Sequence, residues 1–318
     1  MQTERDSFIL SEKNEAVINV FCKIASENGS AISLKEILDL TSLNATEREL
    51  ERAWQASRLS EQYHLESGIV LEKTGSRSIA ELHTDRGNRM LRAETNVIFA
   101  RKFLRMFKGN NPVVFSVSGS TSYQSVSRED DLDFFCITKK NTMWIALSKA
   151  LLLARAFQLV NTDSPWICLS YIMDESYAVS EFSSPKDGLF ARDALSTIVL
   201  RGSSFYEDLL RKCQWMGTYF PKIYEYRTMK GSNDELTLKL KHDASSLEKI
   251  ANSFLCLIVG SYIRVKSSLL NRKFASKKQP SRRFLLLMGK DHCIYESLSY
   301  LHLREVYSQI ESNPVPDS

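Results

Sequence analysis

Residues 113–138 read VVFSVSGSTSYQSVSREDDLDFFCIT, and this stretch decides the fold. Val113 to Ser118 is an apolar, β-branched run that predicts a buried strand, ending at Gly119-Ser120. Ten residues later Asp131-Leu132-Asp133 opens a second apolar run, continuing through Thr138, which predicts another strand. Residues two apart on a strand share a face. Asp131 and Asp133 therefore project together, while Leu132 and Phe134 point into the core. Two carboxylates roughly 6–7 Å apart repel by about 2.5 kcal/mol at an effective dielectric of about 20, so the pair asks for a cation. Oxygen ligands on a rigid strand suit Mg²⁺ or Mn²⁺, which would also hold a nucleotide's phosphates. Gly119 lets the backbone come close to a ligand, and its neighbouring amides and the Ser120 hydroxyl can donate to phosphate oxygens. Asp130 adds acidity but points the other way, which makes it the weaker ligand. The competing reading is a turn with a solvated acidic tip.

Working outward, Ala16, Val17, Val20, Phe21, Ile24 and Ala25 recur at helical spacing over residues 12–27, and Asn28-Gly29 is a suitable stop. Ser33 and Glu36 form a capping box for a helix through Leu40, and Asn44 or Thr46 caps a third helix reaching about Ser60. Tyr63 to Thr74 predicts two short strands around Ser67-Gly68. Three helices and a hairpin are the order of a winged helix. The third helix carries Glu47, Arg48, Glu49, Glu51, Arg52 and Arg58, a balanced set without the positive stripe that DNA binding wants. Its expected role is packing or protein contact, not DNA reading.

Residues 81–108 predict a long helix interrupted by Gly87, with Arg86, Arg89, Arg92, Arg101 and Arg105 on a solvated face. Asn110-Asn111-Pro112 ends it.

Strand, Gly-Ser, ten-residue spacer and acidic-x-acidic strand together resemble the polymerase-β-type nucleotidyltransferase superfamily. The likeness extends to a group of uncharacterised bacterial and archaeal nucleotidyltransferase-domain proteins. In that group the acidic strand is followed by a Trp-containing helix, similar to Met143-Trp144 through Phe157. Then come a strand similar to Trp166 through Tyr171, a helix similar to Ala191 to Leu200, and segments similar to Gln214-Trp215 and Phe220-Pro221. The group also begins with a winged-helix-like region, so the resemblance covers most of the chain, although only the Gly-Ser and acidic elements are specific.

The resemblance implies an α+β nucleotidyltransferase-fold mixed sheet with flanking helices. Residues 1–80 would form the winged-helix-like domain, 81–204 the catalytic domain and 205–318 a helical carboxy-terminal domain. It implies Mg²⁺-dependent transfer of a nucleotidyl group from an NTP to RNA, protein or a small molecule. Asp131 and Asp133 would bind metal, and Gly119 and Ser120 the phosphates. An inactive nucleotide-binding regulator with a winged-helix output is the alternative. Active members add a third carboxylate from a neighbouring strand. Here Ser170 stands mid-strand, and Asp174 and Glu175 at the strand's end are either that acid or loop residues; Asp193 lies further off.

Nine basic and no acidic residues fall between Arg264 and Lys290. They are a solvated surface or a contact for a polyanionic acceptor such as RNA, and both readings stand. His292 and His302 have no metal-ligand spacing and are expected to be structural. A net charge of +4 permits nucleic-acid contact without demanding it. The six scattered cysteines and polar MQTERDSF start suit a reducing, cytoplasmic setting. Phe254 to Ile263 is about half the roughly 20 residues a bilayer span needs, which predicts a buried helix and no membrane partner.

Overall fold

The computed structural model describes residues 8–27, 30–41, 43–73, 78–107, 111–229, 244–277 and 282–312. It has the α+β class expected, with helices around mixed sheet.

The amino-terminal unit runs α1 (Glu12–Glu27), β1 (Ile32–Ser33), α2 (Leu34–Asp39), α3 (Glu47–Ala56), α4 (Leu59–Gln62), β2 (Tyr63–Glu66) and β3 (Ile69–Glu72). Capping starts its helices. Ser33 accepts the Glu36 amide while Glu36 accepts the Ser33 amide, and Thr46 and Glu49 repeat the exchange at α3. Ser67 and Gly68 turn the β2–β3 hairpin with positive φ. β1 then pairs antiparallel with β3, giving a three-stranded sheet with one strand more than the hairpin expected. Ile18, Phe21, Ile37, Leu50 and Trp54 fill the core beneath it. The expected turn at 28–29 lies outside the described residues.

Next comes α5 (Ile79–Arg105), which passes through Gly87 without a break. Arg101 and Arg105 are exposed as expected, but Arg86, Arg89 and Arg92 are structural ties and not a solvated face. Arg86 reaches Glu36 at 2.8 Å and the Ala31 carbonyl, holding the amino-terminal unit. Arg89 and Arg92 pair with Asp85 and donate to the carbonyls of Ser125 and Val126. These bonds fasten the loop that leads to the acidic strand.

The rest comprises β4 (Val114–Val117), α6 (Gly119–Ser122), β5 (Leu132–Thr138), α7 (Met143–Val160), β6 (Ile167–Asp174), α8 (Glu175–Ser183), α9 (Gly188–Ser196), β7 (Ile198–Arg201) and α10 (Ser203–Arg211). Then follow α11 (Trp215–Tyr219), α12 (Pro221–Thr228), α13 (Ser246–Ser276), β8 (Phe284–Met288), β9 (His292–Ser297) and α14 (Leu298–Ser312). One sheet takes the order β7-β4-β5-β6-β9-β8, parallel only between β5 and β6. Alternation along β5 sends Phe134 to the face covered by Phe103, Trp144 and Phe157, and Phe135 to the face covered by Phe182 and Tyr206. The second face continues into the amino-terminal unit, where Phe21 meets Phe220 and Tyr307.

Three expectations are corrected. Residues 205–318 are not a separate helical domain, because β8 and β9 complete the central sheet, with β9 pairing to β6. The helix expected through Leu200 ends at Ser196, and Ile198 to Arg201 instead pair with β4 as an edge strand. The apolar segment in α13 is buried on one side only: Ile263 is buried and Leu255, Cys256 and Val259 pack on the core, but Phe254, Leu257 and Ile258 are more than half exposed.

Candidate functional site

Val117 pairs with Phe134, so the exit of β4 and the entry of β5 lie side by side. The Ser118 amide extends the ladder to the Asp133 carbonyl at 3.0 Å. The chain must then turn sharply, and Gly119 does so at φ +62, a conformation that costs a non-glycine residue energy. A Cβ on Gly119 would stand 2.7 Å from Asp133 Oδ2. The missing side chain thus makes room for the carboxylate.

Asp131 stands just before β5 and is exposed; Asp133 is half-buried, and Leu132 and Phe134 are fully buried. The charges of Asp131 and Asp130 both act on Asp133. Burial is the main cause that raises the Asp133 carboxyl, Asp131 adds to it, and hydrogen bonds from Cys168 and Ser170 oppose it, leaving it at about 7. Burial and then the charge of Asp130 raise Asp131, with Arg282 opposing. Burial, followed by the charge of Asp133, raises the Cys168 thiol, and Lys266 pulls it back.

These donors fit a small hard cation. Among the described residues no three His, Cys, Asp or Glu side chains gather as a complete protein cage. Mg²⁺ is commonly held by only one or two carboxylates, with water and substrate phosphates completing its shell. A carboxyl pushed up by burial and a like charge is one that a divalent ion would return to its ionised form.

Asp130 is occupied elsewhere: its oxygens accept from the Ser127 amide at 2.9 Å and hydroxyl at 2.6 Å, closing the preceding turn. Asp174 is not a third acid. β5 and β6 run parallel, with Asp133 beside Cys168 and Thr138 beside Asp174. Asp174 is therefore five residues along, about 17 Å from Asp133. There it caps α8, accepting the Ser176 and Tyr177 amides, and also accepts from Asn141. Glu175 lies at that same far end, accepting the Lys140 amide at 3.3 Å. Ser170, noted in the sequence at mid-strand, does neighbour Asp133; Cys168 is the neighbour the sequence reading missed, and only the strand register could have revealed it.

Part of the basic run does reach the acids. Arg282 pairs with Glu129 at 2.8 Å, and its charge and that of Lys266 act on Asp131 and Cys168 respectively. His292 stacks on Tyr177 with centroids 4.1 Å apart.

On the other side of Gly119-Ser120 opens a cleft of about 490 Å³, between the amino-terminal unit, α9 and α14. Phe21, Ile32, Ser120, Tyr123, Arg192 and Tyr300 are among its walls; Asp131 and Asp133 are not. Asp193, an outsider by sequence, accepts hydroxyl bonds from Tyr123 and Tyr300 and pairs with Arg192 at 2.9 Å. Arg192 also lies over the Tyr123 ring, 4.5 Å from its centroid.

The chain matches no family model, no curated protein and no solved structure. Function must be argued from the site itself.

Proposed function

We propose that the protein is a Mg²⁺-dependent nucleotidyltransferase of the polymerase-β type, built on residues 113–138. The observation that carries this reading is the Asp133 carboxylate lying against a side-chain-free Gly119, with Asp131 just before the same strand. One structural device then serves both the metal ligands and the phosphate-binding bend. The cation would neutralise the phosphates and the leaving pyrophosphate. Asp131 and Asp133 would hold it, and the backbone beside Gly119 with the Ser120 hydroxyl would orient the phosphates. The acceptor's hydroxyl oxygen would attack the α-phosphorus, its proton passing to solvent or a nearby base as pyrophosphate departs. The 490 Å³ cleft bordered by Ser120 is large enough for a nucleoside or an acceptor group. Lys266 and Arg282 give a polyanionic acceptor such as RNA a place to approach.

The test is incubation with each labelled NTP, Mg²⁺ and cell extract, beside the Asp131→Ala/Asp133→Ala variant. Labelled product and pyrophosphate are expected from the unaltered protein only. Equal labelling by both, or none by either, would end the proposal.

A second reading has its own observation: Ser170 stands beside Asp133 where an acid would complete a catalytic set. The protein would then bind a nucleotide without transferring it, and the amino-terminal unit would carry the signal. Nucleotide binding without pyrophosphate release would select this reading.

A further inference from the structure

α13 packs Leu255, Val259 and Ile263 on the core and yet carries a second apolar stripe on its outer side. Its buried positions are Asn252, Gly260, Ile263 and Ser267, mostly small or polar. Leu247, Ile250, Phe254, Leu257, Val265 and Leu269 are each more than half exposed. From Leu247 to Leu269 this stripe is about 33 Å long, at 1.5 Å per residue. A contiguous apolar surface of that length marks a contact site, because soluble surfaces seldom leave one uncovered.

The charges beside the stripe say what would cover it. Arg264, Lys266, Arg272, Lys273 and Lys277 are all exposed on its carboxy-terminal half. At 3.6 residues per turn, Arg264 falls on one flank, Lys266 and Lys273 on the other, and Arg272 on the stripe's continuation. No acidic residue occurs from Arg264 to Lys290. Two copies packed in parallel through this face would set these cations against each other. Packed antiparallel, they would meet the first turns, whose acid, Glu248, is engaged in the Ser245 capping box. An anionic lipid surface supplies both an apolar layer and the missing negative charge.

α13 is also long and apolar enough to cross a bilayer, with only 17% of its most apolar window buried. Its inner face prevents that here. Asn252 accepts the Trp144 amide at 2.8 Å, and Asn271 exchanges hydrogen bonds with the Phe284 backbone at 2.8 and 3.1 Å. Gly260 lets the helix close on the Trp144 ring. A helix tied down at these points can lie on a membrane but cannot thread it.

We infer that the exposed face of α13 docks the protein peripherally on an anionic lipid surface. The stripe sinks among the acyl chains, and the flanking Lys and Arg heads reach the phosphates. This revises the expectation of no membrane partner and does not depend on the proposed transfer activity.

Flotation of the full chain with vesicles of phosphatidylcholine alone, or of phosphatidylcholine with phosphatidylglycerol, tests the inference. Binding to the anionic vesicles should exceed binding to neutral ones by about tenfold and weaken with salt. Phe254→Asp/Leu257→Asp changes only exposed positions, so circular dichroism should be unaltered while vesicle binding is lost. Arg272→Glu/Lys273→Glu should lose the anionic preference alone. Failure of the unaltered protein to float with either vesicle would overturn the inference. So would a concentration-dependent dimer in sedimentation, abolished by Phe254→Asp/Leu257→Asp, because the face would then belong to a second copy.

Discussion

The Asp133 carboxylate occupies the space that a side chain on Gly119 would need: Oδ2 lies 2.7 Å from where a Cβ would stand. Gly119 also has φ +62. Gly119→Ala therefore meets two penalties, backbone strain and a clash with the acid, and should cost about 1–3 kcal/mol. Urea unfolding would measure the loss, and Mn²⁺ titration should show weakened binding. A variant matching the original in both would mean that the close approach has no consequence.

Asp133 should also give stability a pH dependence. In metal-free protein its carboxyl is raised to about 7, by burial first and by Asp131 second. The folded chain then holds a proton that the unfolded chain has released at its ordinary carboxylate value. The stability tied to that proton is full below the unfolded value and is lost as pH rises through about 7. Asp133→Asn removes the titration. Relative to the original, it should gain roughly 2–4 kcal/mol between acidic and mildly alkaline pH. Urea unfolding in chelator across that range would check this; a difference independent of pH would contradict the raised carboxyl.

Asp193 collects two tyrosine hydroxyls and the Arg192 guanidinium at the wall of the cleft. Arg192 is 7% exposed, so Asp193→Asn strands a buried cation and should cost about 3 kcal/mol. Tyr300→Phe removes a single donor and should cost about 1 kcal/mol. Thermal unfolding of the two variants tests the ranking. Equal and small losses would show that the network contributes little.

Ser170→Asp would place a third carboxylate beside Asp133. Without metal the added like charge should lower the unfolding midpoint, and Mn²⁺ should restore it and bind about tenfold more tightly. Calorimetric titration reads the affinity. Unchanged Mn²⁺ binding would mean that Ser170 does not face the metal position.

Much of the framework was legible because local chemistry declares itself. Ser33 with Glu36, Thr46 with Glu49, and Ser67-Gly68 set their boundaries through bonds within a few residues. The Gly119-Ser120 bend and the Asp131-Leu132-Asp133 entry were likewise local features, and β4 and β5 place them side by side. What failed depended on distant partners. Phe284 to Met288 is a short apolar run whose period cannot separate strand from helix, and only its pairing with β9 decides. Asp174 follows a strand whose direction relative to β5 is invisible in sequence, so its far position could not be read. The apolar stripe of α13 was visible, but periodicity does not say whether such a stripe faces protein or the outside.

The pairing of β6 with β9 joins Tyr171 to Ile294, residues more than a hundred positions apart. A ribosome must therefore deliver the chain through β9 before the inner strand beside Asp133 acquires its second neighbour. Until then β6 presents unsatisfied amides and carbonyls to anything that can add a strand, and non-local closure of this kind is slow. Shortened forms that stop before Phe284 should thus be recovered as insoluble material even when residues 113–138 are intact.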